Sequence, residues 1–389
     1  MRRILLAGAA MALLCGPAMA AEQIKLGFEA GLSGVFAIVG DEMKRGLDLG
    51  LEMLGNKLGG LPVKVIALDD KADPAEAVRV SSKLIDDEKI DIMTGIMASN
   101  TDIAVERTYT DAGVTVVGAL AGPKEFAGKD CNAGAFHVSF ENEDWDAPMG
   151  TYMTKIGLKS AYFMGADYQA GWEKVPAAMH EFKGKATGPV YTPLSQLDFS
   201  AELAQLRATN PDGVFIFYPG ALSIAFMKQF AQMGLQKNIS IFSEDTMASE
   251  LSFPAVGDTA LGVVQSGSWT YDLDNAANKK FVAAFIKKYG RRPVAFAALQ
   301  YDAINLIDSA VKAVHGKIED KDAFRAALRK ADFQSVRGPF KFNNNQYPIV
   351  NIYITKVVKD AEGKLKLQLQ STAVENFQDN YHQLCPLKS

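Results

Sequence analysis

Short apolar runs alternate with amphipathic stretches along most of this chain. Residues 24–28 form an apolar run of strand length. In the next stretch, residues 40–58, Met43 and Leu47 lie at helical spacing on one face. The alternation continues with predicted strands at 63–68, 90–95 and 114–118 and predicted helices at 74–87 and 99–111. Strands separated by helical crossovers form parallel sheets covered on both faces, so this order predicts an α/β unit.

A second series of the same kind begins near residue 160. Its predicted strands are 160–164, 188–191, 213–217 and 240–242, and its predicted helices are 171–182, 199–209 and 222–233. Beyond Trp269 the pattern returns to helices, at 276–289, 294–315 and 321–330, and ends in β-like runs at 336–342, 349–358 and 364–370. This order predicts two α/β lobes joined by several crossovers, with a cleft at the carboxyl ends of the strands.

The first twenty residues have the features of an export signal. An arginine pair precedes an apolar run at residues 4–15, and Ala18-Met19-Ala20 forms a small-x-small pattern that signal peptidase accepts. The run is shorter than the roughly 20 residues that span a bilayer core. We therefore predict a signal peptide at 1–20, cleaved after Ala20, and a mature chain in the periplasm. A retained membrane anchor is the alternative.

Composition narrows the class of protein. With 48% hydrophobic and 22% charged residues, the chain resembles a packed globular protein rather than a disordered one. Its formal net charge of −4 argues against a nucleic-acid partner, which needs a clustered basic surface. The mature chain keeps Cys131 and Cys385, and an even pair in an exported protein predicts one disulfide. Two free buried thiols are the alternative.

Several short motifs occur in a colinear order that covers nearly the whole mature chain. They are Gly31-Leu32-Ser33-Gly34 followed by Gly40-Asp41, Leu68-Asp69-Asp70 with Asp73-Pro74, Gly95-Ile96-Met97-Ala98-Ser99, Asp167 with Gly171, Gly220 with Gly234, and Gly338-Pro339-Phe340. In this order they resemble the leucine/isoleucine/valine-binding family of type I periplasmic binding proteins. The resemblance implies a Venus-flytrap fold of two Rossmann-like lobes with parallel central sheets and three hinge crossovers.

The lobe boundaries follow from this resemblance and from the predicted elements. Lobe 1 comprises residues 21–141 plus 270–335, and lobe 2 comprises 142–269 plus 336–372. The tail, 373–389, is expected to be tied to lobe 1 through the disulfide. The family's function implies a monomer that holds a small molecule in the cleft and delivers it to an ATP-binding-cassette permease. A sensor domain that reports the bound state to a membrane receptor is the alternative.

Ser99 is the first candidate ligand-binding residue, because it opens a predicted helix directly after a strand. Exposed N–H groups and the positive end of a helix attract anions. In the family this serine holds the ligand carboxylate, helped by the backbone of the loop after the next strand, here Ala119 and Ala121. Asn100 and Thr101 are candidates for further donors. A purely structural role for Ser99, as a helix N-cap, is the alternative.

Other positions depart from the family's amino-acid binders. Those proteins carry a hydroxyl residue at the position of Ala121 and often tyrosines at those of Val39, Ala170 and Ala221. These replacements predict a larger, more apolar pocket, unless the loops are misaligned by one residue. Asp245 follows a predicted strand at the place where amino-acid binders pair the ammonium group. It is expected to pair an amine, to accept a hydrogen bond from a ligand hydroxyl, or simply to cap a helix or lie in solvent.

Aromatic residues cluster near the predicted rim of the cleft. They are Phe36, Trp145, Tyr168, Trp172 and Tyr218, and Tyr168 and Trp145 are the strongest ligand-binding candidates because they lie in predicted loops. Aromatic residues on helices are more often part of the core, which is the alternative for each. Together with an apolar pocket and an anion site, they predict an aromatic carboxylic acid as ligand. A branched-chain or other hydrophobic amino acid is the second possibility.

We find no motif that indicates an enzyme. No histidine belongs to a zinc-binding helical pair, and nucleophile-elbow, P-loop and dinucleotide motifs are missing from the sequence. Asp69, Asp70 and Asp73 are better explained as solvated or paired with a nearby lysine than as metal ligands. An acidic loop at 141–146 is expected to be a solvated turn or a contact surface for a permease. The sequence therefore predicts a binding protein without metal or cofactor.

Overall fold

The computed structural model describes residues 23–245 and 247–387. Within them the chain forms two α/β lobes, each built around its own sheet. The predicted signal peptide at 1–20, with its cleavage site after Ala20, lies outside the described residues.

The first series of elements builds the sheet of lobe 1. It consists of β1 (Ile24–Ala30), α1 (Ala37–Met53), β2 (Lys57–Leu58), β3 (Leu61–Asp69), α2 (Pro74–Ser82), β4 (Ile92–Gly95), α3 (Ser99–Asp111), β5 (Thr115–Gly118), α4 (Lys124–Ala127) and β6 (Ala135–His137). The strand order is β2-β3-β1-β4-β5-β6. All neighbouring strands are parallel except the short β2, which runs antiparallel to β3.

The second series builds the sheet of lobe 2. It consists of α5 (Asp146–Lys155), β7 (Ser160–Ala166), α6 (Gln169–Glu181), β8 (Lys185–Thr192), α7 (Ser200–Thr209), β9 (Gly213–Phe217), α8 (Ala221–Gln232), β10 (Ser240–Glu244), α9 (Phe253–Val256) and β11 (Val264–Gly267). The chain then returns to lobe 1 as α10 (Ala276–Tyr289), α11 (Ala295–Ala313) and α12 (Lys321–Lys330), and α11 packs along α1.

The last strands complete lobe 2 and make its sheet mixed. They are β12 (Lys341–Phe342), β13 (Pro348–Lys359) and β14 (Leu365–Phe377). The strand order is β12-β13-β11-β10-β9-β7-β8, with β14 on β13, and β13 runs antiparallel to β11. The central strands of this sheet, from β11 to β8, are parallel as predicted, and the antiparallel pairs lie at this edge. Strand β14 also continues past residue 372, the bound predicted for lobe 2.

The chain passes between the lobes three times, at 138–145, 268–275 and 331–340. Arg337 joins two of these crossovers, because its guanidinium donates to the carbonyls of Val138 at 2.6 Å and Ser139 at 3.2 Å. The same side chain pairs with Asp302 of α11 at 3.2 Å, and both partners are buried. Residues 336–342, predicted as a strand, form a strand only at their end, since the backbone N–H groups of Val336 and Arg337 donate to the side chains of Asp302 and Ser335.

The other main difference concerns the predicted helix at 40–58. It ends at Met53, because Gly55 and Asn56 adopt positive φ angles of 70° and 57° that turn the chain into β2. The predicted disulfide between Cys131 and Cys385 is present, with the two Cα atoms 5.7 Å apart. Among the helices that the structure describes, none combines the length and the apolar character needed to cross a bilayer.

Candidate functional site

A small cavity lies between the lobes, at the carboxyl ends of the central strands. Its volume is about 40 Å³. The lobes meet beside it, since a Cβ atom on Gly220 of lobe 2 would lie 2.3 Å from the carbonyl oxygen of Val35 of lobe 1. The lining residues are Phe36, Val39, Met97, Ser99, Leu120, Ala121, Phe140, Asn142, Tyr168, Ala170, Lys174, Phe217, Pro219, Glu244 and Phe296. The structure thus shows the cleft in a closed form.

The amino end of α3 forms one polar end of the cavity. Ala98 holds the N-cap position with an extended backbone, and its side chain makes no capping hydrogen bond to the first N–H groups of the helix. Ser99 therefore does not cap α3 and is its first helical residue. Its hydroxyl instead accepts a hydrogen bond from the Asn142 amide at 3.0 Å. Unsatisfied N–H groups beside a hydroxyl can bind a carboxylate.

The loop after β5 reaches the same end of the cavity. Ala121 lines the cavity, whereas Ala119 does not. The backbone N–H of Ala119 donates to the Gly95 carbonyl at 3.0 Å, and that of Ala121 donates to the Ile96 carbonyl at 3.1 Å. Both N–H groups predicted to help a ligand carboxylate are thus engaged within lobe 1, which leaves the start of α3 as the donor end.

Lys174 is the second polar feature of the cavity lining. Its ammonium lies 2.9 Å from Glu244, 3.3 Å from Asp146 and 3.0 Å from the Asn142 carbonyl. It also lies 4.5 Å from the ring centre of Phe140. Burial lowers the pKa of a lysine, but the two carboxylates outweigh it and raise the pKa of Lys174 above its usual range. A buried, charged lysine therefore forms part of the cavity wall.

The two carboxylates around Lys174 are only partly satisfied. Glu244 Oε1 and Asp146 Oδ1 are buried and have no hydrogen-bond partner in the described part of the chain. Burial raises the pKa of Asp146, against the lowering effect of Lys174. The expectation that the acidic loop at 141–146 lies in solvent is wrong, because Glu141, Asp144 and Asp146 are at most 2% exposed. This end of the cavity can accept a hydrogen bond from a ligand donor.

Aromatic rings form much of the remaining cavity wall. Phe36 of lobe 1 lies 6.0 Å from the ring of Tyr168 of lobe 2, and Tyr168 stacks on Phe217 at 5.9 Å. Trp145 lies behind Phe140, with ring centres 4.0 Å apart, and does not line the cavity. Burial raises the pKa of the Tyr168 hydroxyl, and Glu244 adds to the effect, so this group stays a donor.

The structure brings some of the predicted site residues together and places others elsewhere. Ser99, Ala121, Phe36, Val39, Tyr168 and Ala170 line the cavity, and Asn100, Thr101, Ala119, Trp145, Ala221 and Asp245 do not. The Asn100 amide donates to the Ala72 carbonyl and the Thr101 hydroxyl to the Ala98 carbonyl. Asp245 is buried beside Gln265, whose amide lies 3.4 Å away.

The sequence reasoning missed the polar core of the cavity. Glu244, the residue before Asp245, is the one whose side chain faces the cavity, because adjacent residues at a strand end point to opposite sides. Lys174 was missed because its partners come from distant segments. The signal available in the sequence was a lysine directly before the apolar run 175–178 in a predicted helix.

Comparisons with known proteins identify the family of this chain. The chain matches the family model described as periplasmic binding protein over residues 23–363. Leu/Ile/Val-binding protein homolog 6 of Brucella melitensis is 28% identical over 374 residues, which cover 93% of this chain and 95% of the relative.

Two solved structures share the fold along nearly the whole chain. A solute-binding protein of an ABC transporter from R. palustris, in complex with benzoate, is 29% identical with a TM-score of 0.89, covering 94% of this chain and 100% of its own. Another, from Rhodopseudomonas palustris BisB5 in complex with 3,4-dihydroxybenzoic acid, is 27% identical with a TM-score of 0.85, covering 92% and 99%. The chain belongs to the periplasmic binding protein family, in its type I, leucine/isoleucine/valine-binding group.

Proposed function

We propose that this protein is the periplasmic solute-binding component of an ABC importer and that it captures a small aromatic carboxylate between its lobes. In this proposal the ligand carboxylate lies at the start of α3, and the ring packs against Phe36 and Tyr168, which line the cavity. The protein works as a monomer, hands its ligand to a permease in the inner membrane, and does not transform it. The lobe boundaries at 141/142, 269/270 and 335/336 are part of the proposal.

The ion pair between Lys174 and Glu244 is the observation that favours an aromatic carboxylate over an amino acid as ligand. An amino-acid ligand needs a carboxylate for its ammonium group, and the resemblance places that carboxylate after β10. In this chain the carboxylate that faces the cavity there is Glu244, and an internal ammonium lies 2.9 Å from it. Because Lys174 already supplies the positive charge, a ligand without an ammonium group fits the site better.

The residues that line the cavity can supply the free energy needed to bind an aromatic carboxylate. Burying an aromatic ring removes about 150–250 Å² from water, which at ~25 cal/mol/Å² contributes roughly 4–6 kcal/mol. A carboxylate bound by the N–H groups and hydroxyl at the start of α3 adds charge-assisted hydrogen bonds of about 1.5–3 kcal/mol each. After ordering costs, these values are consistent with micromolar affinity. The relatives solved with benzoate and with 3,4-dihydroxybenzoic acid support the same ligand class.

Ligand binding by the mature chain tests the proposal directly. Thermal unfolding and titration calorimetry would compare benzoate and hydroxybenzoates with leucine, isoleucine and valine. We expect the aromatic acids to bind one per chain and to raise the melting temperature, and to be recovered unchanged. Saturation at about 100 times Kd adds roughly 2.7 kcal/mol of stability. Binding of the branched-chain amino acids alone would overturn the ligand class, and turnover would overturn the assignment as a binding protein.

A branched-chain amino acid is the second candidate ligand, and one observation favours it. Glu244 Oε1 is buried and unpartnered among the described residues, so it could accept a hydrogen bond from an ammonium group as well as from a phenol. The Lys174→Met variant separates the two cases, with the exposed Lys183→Met as control. If Lys174 excludes amines, its removal should shift preference from benzoate towards leucine. An unchanged ratio of affinities would remove Lys174 from this role.

A further inference from the structure

Three chemically reactive side chains meet in lobe 1, outside the ligand cavity. Asp102 and Glu106 lie four residues apart on α3, and His137 ends β6. Each offers one atom suited to a metal ion, and these atoms all lie within 4.8 Å of one another. The three residues are 1%, 0% and 2% exposed. The sequence predicted no metal, because no histidine belongs to a zinc-binding helical pair.

The fold holds these side chains in fixed positions. Spacing of four residues places Asp102 and Glu106 on one face of α3. The His137 ring stacks on Tyr347, with ring centres 4.2 Å apart and planes at 12°, and its backbone N–H donates to the Gln346 carbonyl at 3.0 Å. Side chains held this firmly form a preorganised group of ligands.

The hydrogen bonding within the group is incomplete. Only one close contact joins its members, 3.0 Å between His137 Nε2 and Glu106 Oε2. Asp102 Oδ2, Glu106 Oε1 and His137 Nδ1 are buried without a hydrogen-bond partner in the described residues. Leaving a buried polar atom unsatisfied costs about 1–3 kcal/mol. In residues 23–245 and 247–387, no lysine or arginine forms an ion pair with either carboxylate.

We infer that Asp102, Glu106 and His137 bind a divalent first-row transition-metal ion such as Zn²⁺. An ion of charge +2, two carboxylates and a neutral imidazole sum to zero charge, which removes the cost of burying unpaired carboxylates. Oxygen and imidazole nitrogen are ligands that such ions accept, and three protein ligands leave one position for water.

Asp102 and Glu106 share a face of α3 with Ser99, so the ion would also anchor the helix whose start lines the cavity.

Metal content after refolding tests the inference. The mature chain, made without a histidine tag, would be unfolded in guanidinium with a chelator, freed of both, and refolded with or without Zn²⁺. After gel filtration we expect about one zinc per chain and a higher melting temperature than in the zinc-free sample, with no such rise for Mg²⁺. Refolded protein that retains no zinc would show that protons alone occupy the group and would overturn the inference.

Variants and a spectroscopic probe locate the ion. Asp102→Asn and His137→Gln should each lower zinc retention at least tenfold, whereas His180→Gln, which changes an exposed histidine, should leave it unchanged. Retention that is equal in all variants would place the ion elsewhere and overturn the inference. Co²⁺ bound to the wild-type chain gives a test that needs no variant. Visible absorption bands of a nitrogen and oxygen environment are expected, and a spectrum of free aqueous Co²⁺ would contradict the assignment.

Discussion

Ser99 brings together two kinds of donor at one point of the cleft. Its own backbone N–H belongs to the uncapped start of α3, and its hydroxyl lies beside the cavity. Asn142 holds that hydroxyl from the first crossover and in turn donates to Glu173 of lobe 2 at 2.6 Å. A single polar chain thus links the proposed carboxylate site in lobe 1 with α6 in lobe 2.

The Ser99→Ala variant tests this position. It removes the hydroxyl but keeps the backbone N–H groups, so benzoate affinity should fall by about 1–3 kcal/mol, or roughly 5- to 150-fold, without being lost. Calorimetric titration measures the change. Ser82→Ala is the control, because that hydroxyl donates only to the Val78 carbonyl on α2. An affinity equal to wild type would exclude Ser99 from the site.

Glu173 makes the stability of the protein depend on pH. Burial raises its pKa from 4.5 to about 7, and the charge of Glu125 adds to this, while hydrogen bonds from Asn142 and Gln169 oppose it. A carboxyl whose pKa rises on folding stabilises the protein while protonated. Its contribution is complete below pH 4.5, the usual pKa, and is lost as the pH rises through about 7.

The Glu173→Gln variant should flatten this dependence. Between pH 4.5 and pH 8 the free energy of unfolding of the wild type should fall by about 1–3 kcal/mol more than that of the variant. Urea unfolding at a series of pH values measures the difference. Glu181→Gln, on the exposed end of the same helix, should follow the wild type. Parallel curves for wild type and Glu173→Gln would contradict the prediction.

At the scale of elements, the local pattern of apolar and polar residues was enough to predict most of the helices and strands. The helices at 99–111, 276–289 and 321–330 have the predicted bounds, because apolar periodicity is a local signal, and Asn275 and Asp320 cap the second and third of them. Strands β6 and β11 were missed, since three residues or a polar run such as Val264–Gly267 carry no periodicity. The polar residues of the cavity, such as Lys174 and Glu244, could not be predicted from local pattern, because α6, β10 and the first crossover meet only in the folded chain.

Close packing of α1 against α11 depends on Gly46. A Cβ atom there would lie 2.2 Å from the Ala297 carbonyl oxygen, a backbone atom that cannot move alone. Gly46→Ala should therefore lower the free energy of unfolding by about 1–3 kcal/mol or more. Gly50→Ala is a matched control one turn later, where the neighbour is the Ile304 side chain at 3.0 Å and the helix gains about 1 kcal/mol of propensity. A lower urea midpoint for Gly50→Ala than for Gly46→Ala would refute this account.

At the scale of the whole molecule, most of the elements that stabilise the fold lie outside the ligand cavity. The lobes are joined by three crossovers, and Arg337 holds two of them together from within the core. The first crossover also supplies Phe140 and Asn142 to the cavity lining, and the lobes meet there through side chains such as Phe36 and Tyr168. Such an arrangement lets the cleft open and close while each lobe stays folded.

The disulfide provides a test of this separation. Cys131 and Cys385 are 254 residues apart in sequence, and neither lines the cavity. Closing so long a loop restricts the unfolded chain, so the Cys131→Ser/Cys385→Ser double variant should lose about 2–5 kcal/mol of stability. Benzoate affinity should stay within about twofold, because 1.4 kcal/mol is needed for a tenfold change and no ligand contact is lost. Urea unfolding and calorimetry measure the two quantities. A reducing agent should bring the wild type to the stability of the variant, and a large loss of affinity in either would show that the tail and the cleft are coupled.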